Sequence, residues 1–272
     1  MKIALPVALL LTATIPATAA DVVPLNFIHG LPFVDVKIGA ASERMLFDSG
    51  GRIGLSVALT TAAKSGSVKL LKSKYTFQDL KGQSFEVPEL VAHRVRIGST
   101  QLGKVNGHVH VKWGGGADTG PEAVLTRARE AGAIGLEAFT SHPLLFDYQR
   151  STMTIFETGQ APKMAQSLPL AYGNEGPYVV VKSGGKSLKL VLDTGTPVNL
   201  LDQRALDCGD KCASPRLANP RDVNGKSLLA QDAEIADLGG APFDGILGAP
   251  FFRSYRVLFD IKSKQLHLSP YQ

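Results

Sequence analysis

Short runs in which apolar and polar residues alternate dominate the chain, and glycine closes them. "FVDVKI" (33–38) and "YVVVK" (178–182) have this pattern, and "IGAAS" and "SGGKS" turn each back into a second apolar run, "RMLF" and "LKLVL". A period of two, rich in β-branched and aromatic residues and ended by a glycine turn, predicts β-hairpins. "YTFQDLKGQSFEV" (75–87) is a further pair of alternating runs turning at Lys81-Gly82, and "RVRIG" and "RVLFDIKSKQLHLS" add strands. Helix is expected only over Pro121 to Ala131, with Asp118 or Thr119 as its cap. The pattern predicts an all-β protein.

The strand pattern occurs twice. Pro32, Val34, Val36, Lys37 and Gly39 recur 145 residues on as Pro177, Val179, Val181, Lys182 and Gly184. In the same register Met45-Leu46-Phe47 meets Leu190-Val191-Leu192, and Asp48-Ser49-Gly50 meets Asp193-Thr194-Gly195. A second block recurs at an offset of 113: Ile134-Gly135 with Leu247-Gly248, Phe139 with Phe252, Leu145-Phe146-Asp147 with Leu258-Phe259-Asp260. Two copies of one unit follow. Residues 21–159 form an N-terminal lobe and residues 160–272 a C-terminal lobe, with a linker near Gln160 to Ser167. The first copy holds about 32 extra residues, expected near Asn106 to Arg129.

Each Asp-Ser/Thr-Gly stands where an apolar run meets a turn. A carboxylate there is costly unless hydrogen-bonded or matched. A third Asp-Thr-Gly, at Asp118-Thr119-Gly120, lacks both the apolar run and the repeat, and is expected to be a turn or cap. Duplication gives the other two their weight. A pseudo-two-fold pairing of the units would bring both acids to the axis, where carboxylates about 3 Å apart share one proton. Such a pair can activate water as a base and protonate a carbonyl oxygen as an acid.

The repeated apolar-apolar-Asp-Ser/Thr-Gly, followed in each unit by Ile134-Gly135 and Leu247-Gly248, resembles the aspartic protease clan, pepsin-like and retropepsin-like. "FDGILGAPFFRSYRVLFD" (243–260) is similar to the segment before the last strands of pepsin-like enzymes. The second unit, with 55 residues between Asp193 and Gly248, is nearer a retropepsin subunit in size. The resemblance implies two tandem β-barrel lobes with an active-site cleft between them, acting as an aspartic endopeptidase without cofactor or metal. It implies that Asp48 and Asp193 form the catalytic dyad and that Ser49 and Thr194 hydrogen-bond across the axis. Gly50 and Gly195 would let backbone amides approach the carboxylates. The flap would be the hairpin 75–87, with Tyr75 on it and Gly82 in its turn, closing over a peptide or protein substrate held extended.

One position departs from the pattern. Thr196 can donate to the outer oxygen of Asp193, whereas Gly51 offers Asp48 no hydroxyl. The missing bond to the charged form makes Asp48 the partner expected to hold the shared proton more often. It also keeps a second possibility open: a catalytically silent two-lobed module binding extended peptides in the same cleft.

Composition adds location and exclusions. Lys2, the apolar run Ile3 to Ile15 and Ala17-Thr18-Ala19 read as an export signal over residues 1–20, so a periplasmic or secreted monomer without a stable membrane anchor is expected. Net charge is +5 with the basic residues scattered, which does not suggest nucleic-acid binding. In an oxidising compartment Cys208 and Cys212 are expected to form a local disulfide. His108 and His110 share one strand face, a weak metal possibility without a third ligand. The chain has no Gly-x-Ser-x-Gly, His-Glu-x-x-His, phosphate-loop or dinucleotide motif.

Overall fold

The computed structural model describes residues 20–52, 54–78, 83–111, 130, 132–205, 216–217 and 220–271. Within these residues the protein is mostly β and two-lobed, with strands in three large sheets. The strand Leu31–Ile38 shows why the period-two runs fold as they do. Val34, Val36 and Ile38 are buried, while Asp35 and Lys37 between them are exposed. Asp35 faces Arg44 on the next strand at 2.8 Å. Both side chains are about half exposed, so the pair adds little beyond register.

In the first half, Leu31–Ile38 pairs with Ala41–Phe47 as predicted, Val34 opposite Met45. Ala41–Phe47 then runs parallel to Gly132–Ile134, which lies between it and Leu55–Val57. Thr100–Val109, Ser84–Ile97 and Val68–Gln78 complete an eight-stranded sheet with Asn26–Ile28 at its other edge. Pairing of Val36 with Ile97 and Ile38 with Val95 closes the sheet on itself as a barrel. The second half repeats the order around its own acid. Gly176–Ser183 pairs with Lys186–Leu192, which runs parallel to Gly245–Leu247, which separates it from Leu200–Asp202. The two sequence blocks that recur at different offsets are thus hydrogen-bonded neighbours in both halves. Phe47 pairs with Ile134 where Leu192 pairs with Leu247.

A six-stranded sheet joins the halves. Its order is Asp21–Pro24, Thr152–Ile155, Leu144–Asp147, Tyr255–Asp260, Gln265–Pro270 and Gln166–Pro169. The central pairing crosses between the repeats, with Leu145 opposite Leu258. Repeat-equivalent phenylalanines meet over this seam: Phe146 lies 5.8 Å from Phe259, edge to face, and 4.9 Å from Phe47. All three are fully buried. Burying such rings drives lobe association, and edge-to-face pairs add to the area term. Gln166 and Ser167, expected in the linker, belong to the last strand of this sheet.

Sequence patterning missed two helices, Leu59–Ser65 and Ala249–Ser254. The first ends at Gly66, whose φ of 59° is the left-handed conformation a helix C-terminus favours. Of the expected helix 121–131 only residue 130, in a turn, is described; the Asp118 turn, Gly82, Cys208 and Cys212 lie outside the described residues. No helix among the described residues is long and apolar enough to cross a membrane.

Candidate active site

The two aspartates stand at equivalent ends of parallel ladders. Asp48 N donates to the Ile134 carbonyl at 2.9 Å, and Asp193 N to the Leu247 carbonyl at 3.0 Å. Each chain then leaves its sheet in a tight turn. Gly50 N donates to Asp48 Oδ1 at 2.9 Å and Gly195 N to Asp193 Oδ1 at 2.7 Å, so each carboxylate is held by its own turn.

Ser49 and Thr194 lock the turns together. Ser49 N donates to Thr194 Oγ1 and Thr194 N to Ser49 Oγ, both at 3.0 Å. Each hydroxyl passes its own proton further, Ser49 Oγ to the Leu192 carbonyl at 2.9 Å and Thr194 Oγ1 to the Phe47 carbonyl at 2.6 Å. Both side chains have zero solvent exposure. These four bonds are related by the same two-fold relation as the repeat. Buried hydroxyls need partners, and each here finds them in the opposite copy.

Two glycines set how closely the turns approach. A Cβ on Gly50 would lie 2.4 Å from Asp193 Cγ, and one on Gly195 would lie 3.3 Å from Asp48 Cγ. Each turn's glycine therefore backs onto the other turn's carboxyl group, and any side chain at Gly50 would displace Asp193.

The surroundings are unequal. Thr196 Oγ1 donates to Asp193 Oδ2, a bond that Gly51 cannot repeat for Asp48. Beneath the turns, Asn199 is buried and accepts from Gly248 N through Oδ1 at 2.9 Å while donating to the Asp232 carbonyl, also at 2.9 Å. Its repeat-equivalent is Gly54, whose carbonyl takes Gly135 N at 3.2 Å. A Cβ on Gly54 would lie 2.5 Å from the Asn106 carbonyl oxygen, so the first copy substitutes backbone for the amide side chain. The sequence carried this as Asn against Gly at one offset, but neither type announces such a role alone.

A cavity of about 880 Å³ lies beside the turns, between strands of the first half and the turn 173–176 of the second. Arg52, Tyr75, Glu137, His108 and Glu175 line it, whereas Asp48 and Asp193 do not. Arg52 spans the halves, with Nη1 donating to Asn174 Oδ1 at 3.3 Å and Nε 3.5 Å from Glu137. Tyr75 lies on Val68–Gln78 with its ring parallel to that of His108, centroids 5.0 Å apart. Burial, then the Glu137 charge, raises its pKa. His108 is lowered by burial, and His110 is pushed down to about 4 by burial and then by His108. His108 Nδ1 is 3.0 Å from the Val109 carbonyl, and His110 Nδ1 is 3.1 Å from Ser56 Oγ. No group of three or more potential metal ligands occurs among the described residues.

Two lobes joined by a six-stranded sheet, each presenting an Asp-hydroxyl-Gly turn at the shared axis, constitute the acid-protease fold. The crystal structure of the aspartic proteinase from Irpex lacteus superposes on this chain with a TM-score of 0.59, covering 93% of this chain and 98% of that one at 18% identity. No family profile matches the sequence, and no curated protein sequence is similar to it.

Proposed function

We propose that the chain is an exported aspartic endopeptidase in which Asp48 and Asp193 are the dyad. The reciprocal Ser49–Thr194 lock carries this proposal, because it holds two acid turns against each other at one axis. Carboxylates so opposed share one proton. The ionised partner takes a proton from a water between them, and the water oxygen attacks the scissile carbonyl carbon. The protonated partner gives its proton to the carbonyl oxygen, and the tetrahedral intermediate collapses as the dyad protonates the leaving amine. A peptide or protein substrate lies extended, as an added strand, beneath the 75–87 hairpin with Tyr75 on it. The units 21–159 and 160–272 act as two retropepsin-like lobes of one monomer, and residues 1–20 direct it to the periplasm or beyond.

Gly51 favours one competing account, a silent module that binds extended peptides without cutting them. Incubation of the purified chain with an unfolded protein across acidic to neutral pH separates the two. New peptide termini that pepstatin suppresses support the endopeptidase. Pepstatin binding without any cleavage supports the silent module and overturns the enzyme.

A further inference from the structure

The cavity beside the turns has unspent hydrogen-bonding capacity of one kind. His108 lines it and is 2% exposed. A carbonyl oxygen only accepts, so the contact with Val109 places the ring proton on Nδ1 and leaves Nε2 as a lone-pair acceptor. Nε2 is buried and meets no hydrogen-bond partner in the chain. A buried polar atom of this kind is costly until a ligand satisfies it.

Glu89 stands directly opposite His108 in the antiparallel register, on the same sheet face, and also lines the cavity. It has no ion-pair partner among the described residues. The nearby cations are committed, Arg52 to Glu137 and Lys189 to Glu175. With Glu137 and Glu175 so matched, Glu89 is left as the uncompensated charge among the described residues lining the cavity. Tyr75 and Phe77 stand side by side, centroids 5.8 Å apart, and both rings stack on His108. Two acceptors without partners on one sheet face, an excess of negative charge and an aromatic wall match a planar cation.

We propose that this cavity is a specificity pocket for a basic substrate side chain, arginine above lysine. The guanidinium donates to the Glu89 carboxylate while lying against the Tyr75–Phe77 wall, and a small shift of that ring stack opens His108 Nε2 to it. The pocket rests on the endopeptidase assignment for its use, though not for its ability to bind.

Digestion of a mixed peptide library, with products read by mass spectrometry, tests it. Arginine or lysine should dominate at one fixed distance from the cut bond. In Glu89→Gln, the ratio of kcat/KM for an arginine peptide to that for its leucine twin should fall about tenfold, the effect of removing one charge-assisted hydrogen bond. His108→Phe, which keeps a ring in the stack and deletes the acceptor, should lower the same ratio. An apolar or flat preference at every position, or an unchanged ratio in Glu89→Gln, overturns the pocket. If the wild-type chain cuts nothing, the endopeptidase assignment fails separately, and retention of the library on immobilised protein decides the pocket. Enrichment of arginine and lysine peptides supports it, and no enrichment overturns it.

Discussion

Replacing Thr194 with valine keeps the shape of the side chain and removes only its hydroxyl. That hydroxyl accepts from Ser49 N at 3.0 Å and donates to the Phe47 carbonyl at 2.6 Å, with zero exposure at both Ser49 and Thr194. The variant leaves one buried N–H without its acceptor and one carbonyl without its donor. Each such loss costs about 1–3 kcal/mol, so the sum is about 2–6 kcal/mol. Valine is close to isosteric, so no cavity contribution enters. Urea unfolding of the two proteins, followed by circular dichroism, measures the difference. Arg44→Ala, which breaks a half-exposed pair, serves as the comparison and should change stability by less than about 0.5 kcal/mol. A Thr194→Val loss no larger than that of Arg44→Ala would refute the lock as the element that joins the turns.

The asymmetry beside the acids makes its own prediction. Gly51→Ser should give Asp48 a donor like the one Thr196 gives Asp193, favouring the charged form, so the alkaline limb of the kcat/KM profile should move to lower pH; an unmoved limb contradicts it. Stability should also depend on pH through His108 and His110, at and just beyond the end of Thr100–Val109. His110 is held at about 4 when folded against an ordinary 6.5, so the folded state binds fewer protons. Its contribution is present above pH 6.5 and is lost as pH falls from 6.5 towards 4, and His108 acts in the same direction. The urea midpoint should therefore drop through that window, less steeply in His110→Gln, and an identical slope in the variant would remove His110 as the cause.

The acid turns were legible because both properties that specify them are periodic. The period-two runs located the strands, and the 145-residue offset located their partners, the same separation that divides Ser49 from Thr194 in the lock. Other features left no such trace. Helix Leu59–Ser65 begins at Ala58, with no side-chain cap, and is too short to show a helical period. The pairing of Leu144–Asp147 with Tyr255–Asp260 depends on which strand edges meet, and alternation within a strand says nothing about that. His108 and His110 were visible as two histidines on one face, but alternation gives no depth. Their burial, the stacking of Tyr75 and the opposed Glu89 depend on the register in which three successive strands pair, which alternation within each strand does not specify. The bridge from Arg52 to Asn174 likewise joins residues 122 apart with no motif between them.

The dyad itself is tested most directly by kcat/KM on one cleavable peptide for the wild-type chain, Asp48→Asn and Asp193→Asn, with folding checked by circular dichroism. Both variants should fold and lose at least about a thousandfold in kcat/KM, since neither single carboxyl can serve as base and acid together. Retention of wild-type turnover by either folded variant would contradict the account.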